Sequence, residues 1–262
     1  MLTEAQINEA AHALHQAELT MTPIPPISST YPDATIDDAY RISIAVTALK
    51  VAAGRIVKGH KIGLTSKAMR SLWGATEPDY GTLFDNWFLP EGSTVKRAEM
   101  NHPLVEVEIV FMLKEALSGP SCNAADVIRA TDFILPAIEI VDNRQTTRGP
   151  KPLVDSISDA AACGLVVLGG NPRRLTEIDI RRIGASLAIN GVIEETGVAS
   201  AVRANPVNAV AWLVNTLHGF GVTPEPGNII LSGSLIKAIP FDAGDSVVAH
   251  FDTLGEVTFN AE

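Results

Sequence analysis

Two glutamates stand two residues apart in one apolar segment. The segment reads PLVEVEIVF, and its two carboxylates are Glu106 and Glu108. Successive side chains of a β-strand point to opposite faces, so this spacing predicts both carboxylates on one face and the intervening apolar residues on the other. Carboxylates this close repel each other unless a cation or solvent separates them. The pattern leaves two interpretations, a metal site or the solvated outer face of an edge strand.

A third glutamate, Glu139, interrupts the apolar run LPAIEIV. A buried carboxylate without a partner is costly or becomes protonated. One solution is a buried ion pair with an arginine or a lysine. The other solution brings Glu139 together with Glu106 and Glu108 around one divalent cation, and hard oxygen ligands favour Mg²⁺ or Mn²⁺.

Two more charged residues stand near glycines. Lys61 lies in KGHKIGLTS, a predicted strand that leads into a turn. A lysine there can hold a substrate anion, or transfer protons if its pKa is lowered, but exposed strand lysines are common. Asp79 lies in EPDYG, a composition that is typical of a turn.

The N-terminal part of the chain has the pattern of helices. Thr3 and Gln6 have capping-box spacing, and the helix that they begin extends to about Glu18. Thr35 begins a second helix, which Gly54 ends. We therefore predict a helical N-terminal region over residues 1–55.

The remainder, residues 56–262, has short runs rich in valine and isoleucine between glycine and proline turns, which predicts strands. The predicted strands cover residues 58–63, 105–113, 133–141, 164–168, 186–190, 228–231 and 246–251. Helices are predicted near Ala124 and from Pro206 to Gly219. Strands and helices do not alternate regularly, which favours an α+β fold with a mixed β roll or sandwich as its catalytic core.

Composition excludes several classes of function. The chain has 262 residues, of which 46% are hydrophobic and 19% are charged, so it can form a large core. Its net charge of −10 argues against nucleic acid or an anionic membrane as a partner, although a bound metal can still attract an anionic substrate. It has two cysteines, no apolar run of membrane-spanning length and no signal-peptide pattern. We expect a cytoplasmic protein.

Several segments, in one order along nearly the whole chain, resemble the hydratase/decarboxylase family of aromatic meta-cleavage pathways, which is related to fumarylacetoacetate hydrolase-like proteins. The segments are GHKIGLTSKAM, EPDYG, the VEVE strand, LPAIEIVD, DSISD, NGVIEETG, NPVNAVAWL and IILSGS. Independent motifs in the same order make the match specific and favour the metal interpretation. The resemblance also implies a mixed β roll with a helical N-terminal region, assembled as a homo-oligomer.

The resemblance assigns roles to residues. It implies that Glu106, Glu108 and Glu139 hold Mg²⁺ or Mn²⁺, which chelates the carboxylate and C2 oxygen of a small 2-oxo acid. Lys61 resembles the active-site lysine of the family, and Asp79 resembles the acid–base residue of its hydratases. The expected activity is hydration of a 2-hydroxy-2,4-dienoate to a 4-hydroxy-2-oxo acid, and GHKIGLTSKAM and EPDYG favour 2-oxohept-4-ene-1,7-dioate as the substrate.

The implied mechanism is a hypothesis. The cation stabilises enolate charge at C2, C5 is protonated, and water then adds at C4, with Lys61 and Asp79 as general acid and base. Two alternatives remain: a 4-oxalocrotonate decarboxylase of the same family, and a non-catalytic subunit that supports a related pathway enzyme.

Substrate-binding residues are expected in two other places. Ser234, in LSGS, is a candidate for the substrate carboxylate, and its alternative is an ordinary strand-end turn. A second substrate carboxylate needs a cation, for which Arg144, Arg148 and Lys151 are candidates in a polar loop that is otherwise solvated.

The sequence departs from the family pattern twice. It has Asp159-Ala160-Ala161 where the family often has Asp-Asn-Ala, and Leu104 where the family usually has an arginine before the metal strand. The first change bears on the substrate or the rate if that asparagine orients substrate or water.

Overall fold

A computed structural model describes residues 1–146 and 152–262 of the chain. It confirms the predicted α+β class with a helical N-terminal region. The helices among these residues are α1 Glu4–Thr20, α2 Ile27–Thr30, α3 Ile36–Ala52, α4 Lys67–Trp73, α5 Ala124–Ala130, α6 Leu153–Ser158 and α7 Pro206–His218.

The strands form two sheets. They are β1 Val57–Gly63, β2 Asp79–Phe84, β3 Phe88–Pro90, β4 Ser93–Val95, β5 Leu104–Leu113, β6 Thr131–Val141, β7 Cys163–Leu168, β8 Gly184–Ile189, β9 Val192–Val198, β10 Ile229–Leu231, β11 Ile239–Pro240, β12 Ser246–Phe251 and β13 Gly255–Ala261. The first sheet has the order β2-β1-β10-β5-β6-β7-β3, with β11 also paired to β5. The second has the order β4-β13-β12-β8-β9.

Capping boxes begin the two long N-terminal helices. The Thr3 hydroxyl caps α1 and the Thr35 hydroxyl caps α3, and the backbone N–H of each threonine donates in turn to the side chain of the third helical residue. The buried Asp38 of α3 also accepts the backbone N–H of Leu2, which fixes the start of α1 against α3. The two helices pack through a shared apolar stripe that includes Ile7 and Ile42.

Helix α2 ties this region to the first sheet. The Ile27 N–H donates to the Gln145 side chain, and the Ser28 N–H and hydroxyl donate to Asp155 in α6. Those acceptors are buried, so each bond is shielded from water. The division of the chain at residue 55 remains a prediction.

Strands β5 and β6 form the centre of the first sheet. They pair antiparallel, and Glu106 lies directly opposite Glu139. Val105, Val107 and Ile109 point to the other face and belong to the main apolar core with residues of the second sheet. Alternation along β5 therefore follows the prediction.

One element differs from expectation. The composition of EPDYG predicts a turn, but Asp79 is the first residue of strand β2, which pairs with β1 and is buried along its whole length. A buried strand of this kind does not alternate in polarity, so period-2 analysis misses it. None of the helices that the structure describes is long and apolar enough to span a membrane.

Candidate metal centre

Three carboxylates meet on one face of the first sheet. Oxygens of Glu106, Glu108 and Glu139 lie within 4.8 Å of one another, and we call these residues the carboxylate cluster. Strand alternation aligns the first two, and the β5–β6 register sets the third across from them. Glu108 is 1% exposed and Glu139 is fully buried, while Glu106 is half-buried at a cavity wall. The solvated-face interpretation is thus incompatible with the structure.

Lys61 reaches the cluster from β1. Its Nζ lies 3.0 Å from Oε1 of Glu139, although β1 and β6 are three strand positions apart. A flat sheet would separate such strands by about 14 Å. The sheet must therefore curl to bring the two side chains together. The lysine is 3% exposed and is not a surface residue.

The cluster has the charge and free acceptors that a divalent cation requires. Three carboxylates and one ammonium give a formal charge of −2. Glu108 Oε1 and Glu139 Oε2 are buried and accept no hydrogen bond from the described residues. Unpaired buried acceptors are rare and costly, and a bound cation would satisfy both. The donor set fits a hard cation such as Mg²⁺ or Mn²⁺.

The pKa values reflect this crowding. Burial and the charge of Glu139 raise the pKa of Glu106 to about 7. Burial and the same neighbour raise the pKa of Glu108 well above its ordinary value. Burial alone would lower the pKa of Lys61, but the carboxylates of Glu139 and Glu106 outweigh it and raise that pKa. Lys61 is therefore held as an ammonium.

Gly233 orients one ligand. Its backbone N–H donates to Glu108 Oε2 at 2.7 Å, with φ at +108°. A Cβ at Gly233 would lie 2.2 Å from the Thr65 hydroxyl, so no other residue fits there without displacement. The glycine in LSGS thus positions a carboxylate of the cluster.

Asp79 lies beside the same site. Lys61 pairs with Gly81 and Gly63 pairs with Asp79 in the β1–β2 ladder, so these residues share a face. The Ser156 hydroxyl donates to Asp79 Oδ2 at 2.7 Å. A Cβ at Gly63 would lie 2.1 Å from Asp79 Oδ1, so glycine makes room for the carboxylate. Sequence reasoning missed the roles of Ser156 and Gly63, although the DSISD motif that contains Ser156 was a signal for the first.

A cavity of about 400 Å³ adjoins these groups. Lys61, Asp79, Glu106 and Ser234 line it, so the structure brings these predicted site residues together. The hydroxyl of Ser234 donates to Ile236 O at 2.9 Å, which makes it part of a strand-end turn as well as of the wall. Glu108 and Glu139 lie behind the wall.

Arg144 does not reach the cavity, in contrast to the expectation that it binds substrate. It is 5% exposed, and its guanidinium donates to the Asp159 carboxylate and to backbone carbonyls of Asp142, Asp159 and Cys163. A guanidinium has five donors, and these contacts engage all three of its nitrogens. Arg144 therefore has a structural role. Its guanidinium connects the segment after β6 to the start of β7.

Arg144 belongs to a second group of buried charges. We call Glu18, Lys50, Arg144 and Asp159 the arginine cluster. Lys50 pairs with Glu18, and its Nζ lies 4.2 Å from the Trp87 ring centroid. Burial lowers the pKa of Lys50 to about 8, against the opposing charge of Glu18.

The other loop candidates, Arg148 and Lys151, lie outside the described residues. The cavity does contain a cation that sequence reasoning missed, Arg97, which lies in a short 3₁₀ segment after β4. Nothing around Arg97 in the sequence marks it as functional, because its place at the cavity depends on distant contacts, among them the pairing of β4 with β13 in the second sheet.

An alanine segment also borders the cavity. Ala160, Ala161 and Ala162 all have left-handed φ values, of 50°, 49° and 60°, and the last two line the wall. This conformation costs an alanine about 1–2 kcal/mol, and it is held in place by Asp159, which accepts hydrogen bonds from Arg144. The departure from Asp-Asn-Ala therefore falls beside the site, with Ala160 packed behind the wall.

Comparisons with known proteins agree with this architecture. The family model described as fumarylacetoacetate (FAA) hydrolase C-terminal matches residues 52–260. The chain is 44% identical over 253 residues to 2-oxo-hept-4-ene-1,7-dioate hydratase of Escherichia coli, covering 95% of each chain. It is 34% identical to 4-oxalocrotonate decarboxylase of Pseudomonas sp. strain CF600, covering 98% of this chain and 97% of that protein.

A solved structure is similar over its whole length. The 4-oxalocrotonate decarboxylase from Pseudomonas putida G7, complexed with magnesium and adipate, superposes with a TM-score of 0.97 at 32% identity, covering 100% of this chain and 99% of that one. These findings confirm the resemblance that the sequence motifs indicated.

Proposed function

The chain belongs to the fumarylacetoacetate hydrolase family, and from that premise we propose that it is a divalent-metal-dependent hydratase that adds water to a 2-hydroxy-2,4-dienoate. The product is a 4-hydroxy-2-oxo acid. The observation that carries the proposal is the combination of the carboxylate cluster, Lys61 and Asp79 beside one cavity.

The three glutamates are proposed to hold Mg²⁺ or Mn²⁺. Once bound, the cation supplies Lewis-acid polarisation of the 2-oxo acid and attraction for its negative charge. The similar decarboxylase structure from Pseudomonas putida G7 is complexed with magnesium, which supports the choice of ion. Lys61 adds a fixed positive charge through its ion pair with Glu139.

Two side chains are proposed to move protons. The substrate loses the proton of its C2 hydroxyl and gains one at C5, which leaves a C3–C4 double bond conjugated with the C2 carbonyl. Water then adds hydroxide at C4 and a proton at C3, so the product gains one water. Asp79 accepts and returns protons, held in position by the Ser156 hydroxyl, and Lys61 donates from its ammonium form.

The apolar part of the cavity wall is proposed to limit the access of bulk water to the reacting carbons. Met69, Trp73 and Phe241 lie in its wall. A dry wall strengthens each electrostatic interaction inside the cavity and limits side reactions. The preferred substrate is proposed to be 2-oxohept-4-ene-1,7-dioate, in line with the most similar of the relatives named above.

Decarboxylation is the second candidate, because relatives of both kinds align over almost the whole chain. The higher identity to the hydratase and the acid at Asp79 favour hydration. A third possibility, a non-catalytic partner of a related enzyme, is disfavoured by the complete carboxylate cluster and Lys61.

We also propose that the enzyme is a cytoplasmic homo-oligomer. Strand β9 is an edge of the second sheet, and its Val192 and Ile193 are 61% and 63% exposed. Apolar edge strands invite pairing with another chain. Light scattering after gel filtration is expected to give a multiple of the 27.8 kDa chain mass, and a monomer at micromolar concentration would contradict assembly.

The deciding experiment measures the product. Purified protein with Mg²⁺ is incubated with freshly generated 2-hydroxypenta-2,4-dienoate, with its 1,7-dioate analogue and with 4-oxalocrotonate, and products are identified by mass spectrometry. We expect the gain of one water with at least one dienoate. Loss of CO₂ from 4-oxalocrotonate without water gain from either dienoate would assign the decarboxylase instead.

A matched pair of variants tests the proton-transfer role. Asp79→Asn is expected to lower kcat by about 100-fold or more, since general acid–base groups contribute about 10²–10⁴-fold. Glu77→Gln, two residues away, removes an exposed carboxylate that pairs with Arg203 on the surface, and it is expected to leave kcat unchanged. Full activity in Asp79→Asn would remove that residue from the mechanism.

A further inference from the structure

The cavity has a second positively charged position besides Lys61. Among the described residues of its wall, Arg97 is the one arginine, and it is half-buried. Its Nε donates to Phe241 O at 3.3 Å and its Nη1 donates to Met100 O at 3.2 Å. Nη2 makes no hydrogen bond with the described residues, so the guanidinium is anchored on one side and retains free donors on the other.

The strand register places the backbone anchor of Arg97 close to the strand that carries Glu106. Phe241 follows strand β11, whose Pro240 pairs with Leu104. Leu104 lies two residues before Glu106 on the same face of β5. The backbone positions of Leu104 and Glu106 are therefore about 7 Å apart, which is also about the length of six bonds in an extended carbon chain. A seven-carbon dioate has six such bonds between its two carboxylate carbons.

The wall between the two ends is apolar. Leu104, Ile236, Ala238 and Pro240 lie in it. A linear hydrocarbon segment with an anion at each end fits such a wall, because its middle needs no hydrogen bonds and its ends need cations.

No acidic side chain among the described residues forms an ion pair with Arg97. Asp142 lines the cavity, but its carboxylate accepts the backbone N–H groups of Asn101 and His102. Asp242 also lines the cavity, and its carboxylate is not among the hydrogen-bond acceptors of Arg97 in the described structure. The guanidinium therefore remains available to an anionic ligand.

We propose that Arg97 binds the distal carboxylate of a dicarboxylic 2-oxo acid and so selects dicarboxylate over monocarboxylate substrates. This assignment rests on the proposed function for the location of the proximal carboxylate. It replaces Arg144, whose three guanidinium nitrogens are all engaged inside the protein. Arg97 is a specificity residue and takes no part in proton transfer.

The test uses two non-reactive ligands of equal length, so its result does not depend on hydration. Calorimetry with the Mg²⁺-loaded protein compares 2-oxoheptanedioate with 2-oxoheptanoate, which ends in a methyl group. We expect the wild type to bind the dioate about 10- to 100-fold more tightly, as for a charge-assisted bidentate contact. Arg97→Met is expected to abolish that preference, and Lys96→Met, which removes an exposed neighbouring charge, is expected to keep it.

Kinetics give a second readout. With the 1,7-dioate and the five-carbon dienoate as substrates, the ratio of kcat/KM values should fall about 10- to 100-fold in Arg97→Met, mainly through KM for the dioate. Arg97→Lys keeps a positive charge but loses the planar guanidinium, and it should give an intermediate ratio of kcat/KM values. This variant provides the test if Arg97→Met folds poorly.

Three results would overturn the assignment: equal wild-type affinity for the two ligands, a preserved preference in Arg97→Met, or an equal loss for both ligands in that variant. Failure of the hydratase proposal would give a different result. The wild type would still prefer the dioate in calorimetry, but no substrate would gain water.

Discussion

The carboxylate cluster and the arginine cluster both bury several charges in one small protein, yet their charges balance differently. The arginine cluster has two acids and two bases, so its formal charge is zero, and the guanidinium nitrogens of Arg144 all have acceptors. The carboxylate cluster with Lys61 has a formal charge of −2 and leaves buried carboxylate oxygens without donors among the described residues.

That difference separates a structural site from a ligand site. Buried charges stabilise a fold only when their partners compensate the loss of hydration. A neutral, fully hydrogen-bonded group needs nothing further. A charged group with unsatisfied acceptors beside a cavity is complete only with a cation, so imbalance of charge, and not burial alone, marks the candidate functional site.

The largest expected effect comes from breaking the arginine cluster. Arg144→Met removes the guanidinium that balances the buried Asp159 carboxylate and donates to three carbonyls, and only the backbone N–H of residue 144 still donates to that carboxylate, so we expect a loss of about 3–5 kcal/mol in the free energy of unfolding. Urea denaturation measures it. Arg181→Met removes an exposed pair with Asp179 and should cost less than about 1 kcal/mol.

Equal stability losses in the two arginine variants would contradict the structural role of Arg144. If Arg144→Met does not fold, Arg144→Lys keeps the charge but loses the fork that serves Asp159 and the carbonyls, and it should still lose more stability than Arg181→Met.

The carboxylate cluster should respond in the opposite way. Glu108→Gln keeps an oxygen for the Gly233 N–H but removes one negative charge, so the metal-free protein should be at least as stable as the wild type. Mg²⁺ affinity and turnover should both fall by about 100-fold or more, since even outer partners of a metal site contribute about 10–100-fold. Calorimetric Mg²⁺ titration and thermal unfolding with EDTA measure the two effects.

A loss of metal-free stability in Glu108→Gln, with Mg²⁺ affinity unchanged, would mean that this carboxylate is a structural group like those around Arg144. The comparison between the clusters would then fail.

The smallest expected effect comes from Gly63, and it tests whether the functional site extends to Asp79. Gly63→Ala places a Cβ 2.1 Å from the present position of Asp79 Oδ1, and displacement of that side chain by about 1 Å should lower kcat about 10- to 100-fold. The stability loss should stay below that of Arg144→Met, because the displaced atom is a side-chain oxygen and the backbone of β2 need not move. Gly170→Ala is the matched control, since its new Cβ would meet no atom within 4 Å.

An unchanged kcat in Gly63→Ala, with a crystal structure showing Asp79 moved, would separate Asp79 from the rate-limiting chemistry. A lowered kcat in Gly170→Ala as well would point to a general effect of glycine replacement.

Local pattern is enough to predict part of this molecule. Period-2 alternation places Glu106 and Glu108 on one face, and the apolar neighbours of Glu139 mark it as buried. The capping residues Thr3 and Thr35 begin helices as expected, and the predicted helix at Pro206 is present. These features depend on neighbours within a few residues.

Features that depend on distant contacts are not predictable in this way. Asp159, the partner of Arg144, lies 15 residues further along the chain. Arg144 is buried because the N-terminal helices pack against it. Arg97 reaches the cavity through pairing in a different sheet. A charged residue in a loop has the same local pattern in either case, and only the fold decides between a structural tether and a ligand contact.

The direct opposition of Glu106 and Glu139 makes metal affinity a reporter of correct folding. A slip of β6 by one residue would turn Glu139 to the other face and place an isoleucine opposite Glu106. Such a misfolded chain could keep its helices and most of its sheet while losing the ion. During refolding, the rate at which Mg²⁺ binding recovers would therefore report the rate at which β5 and β6 reach their native register. The formation of secondary structure would be measured separately.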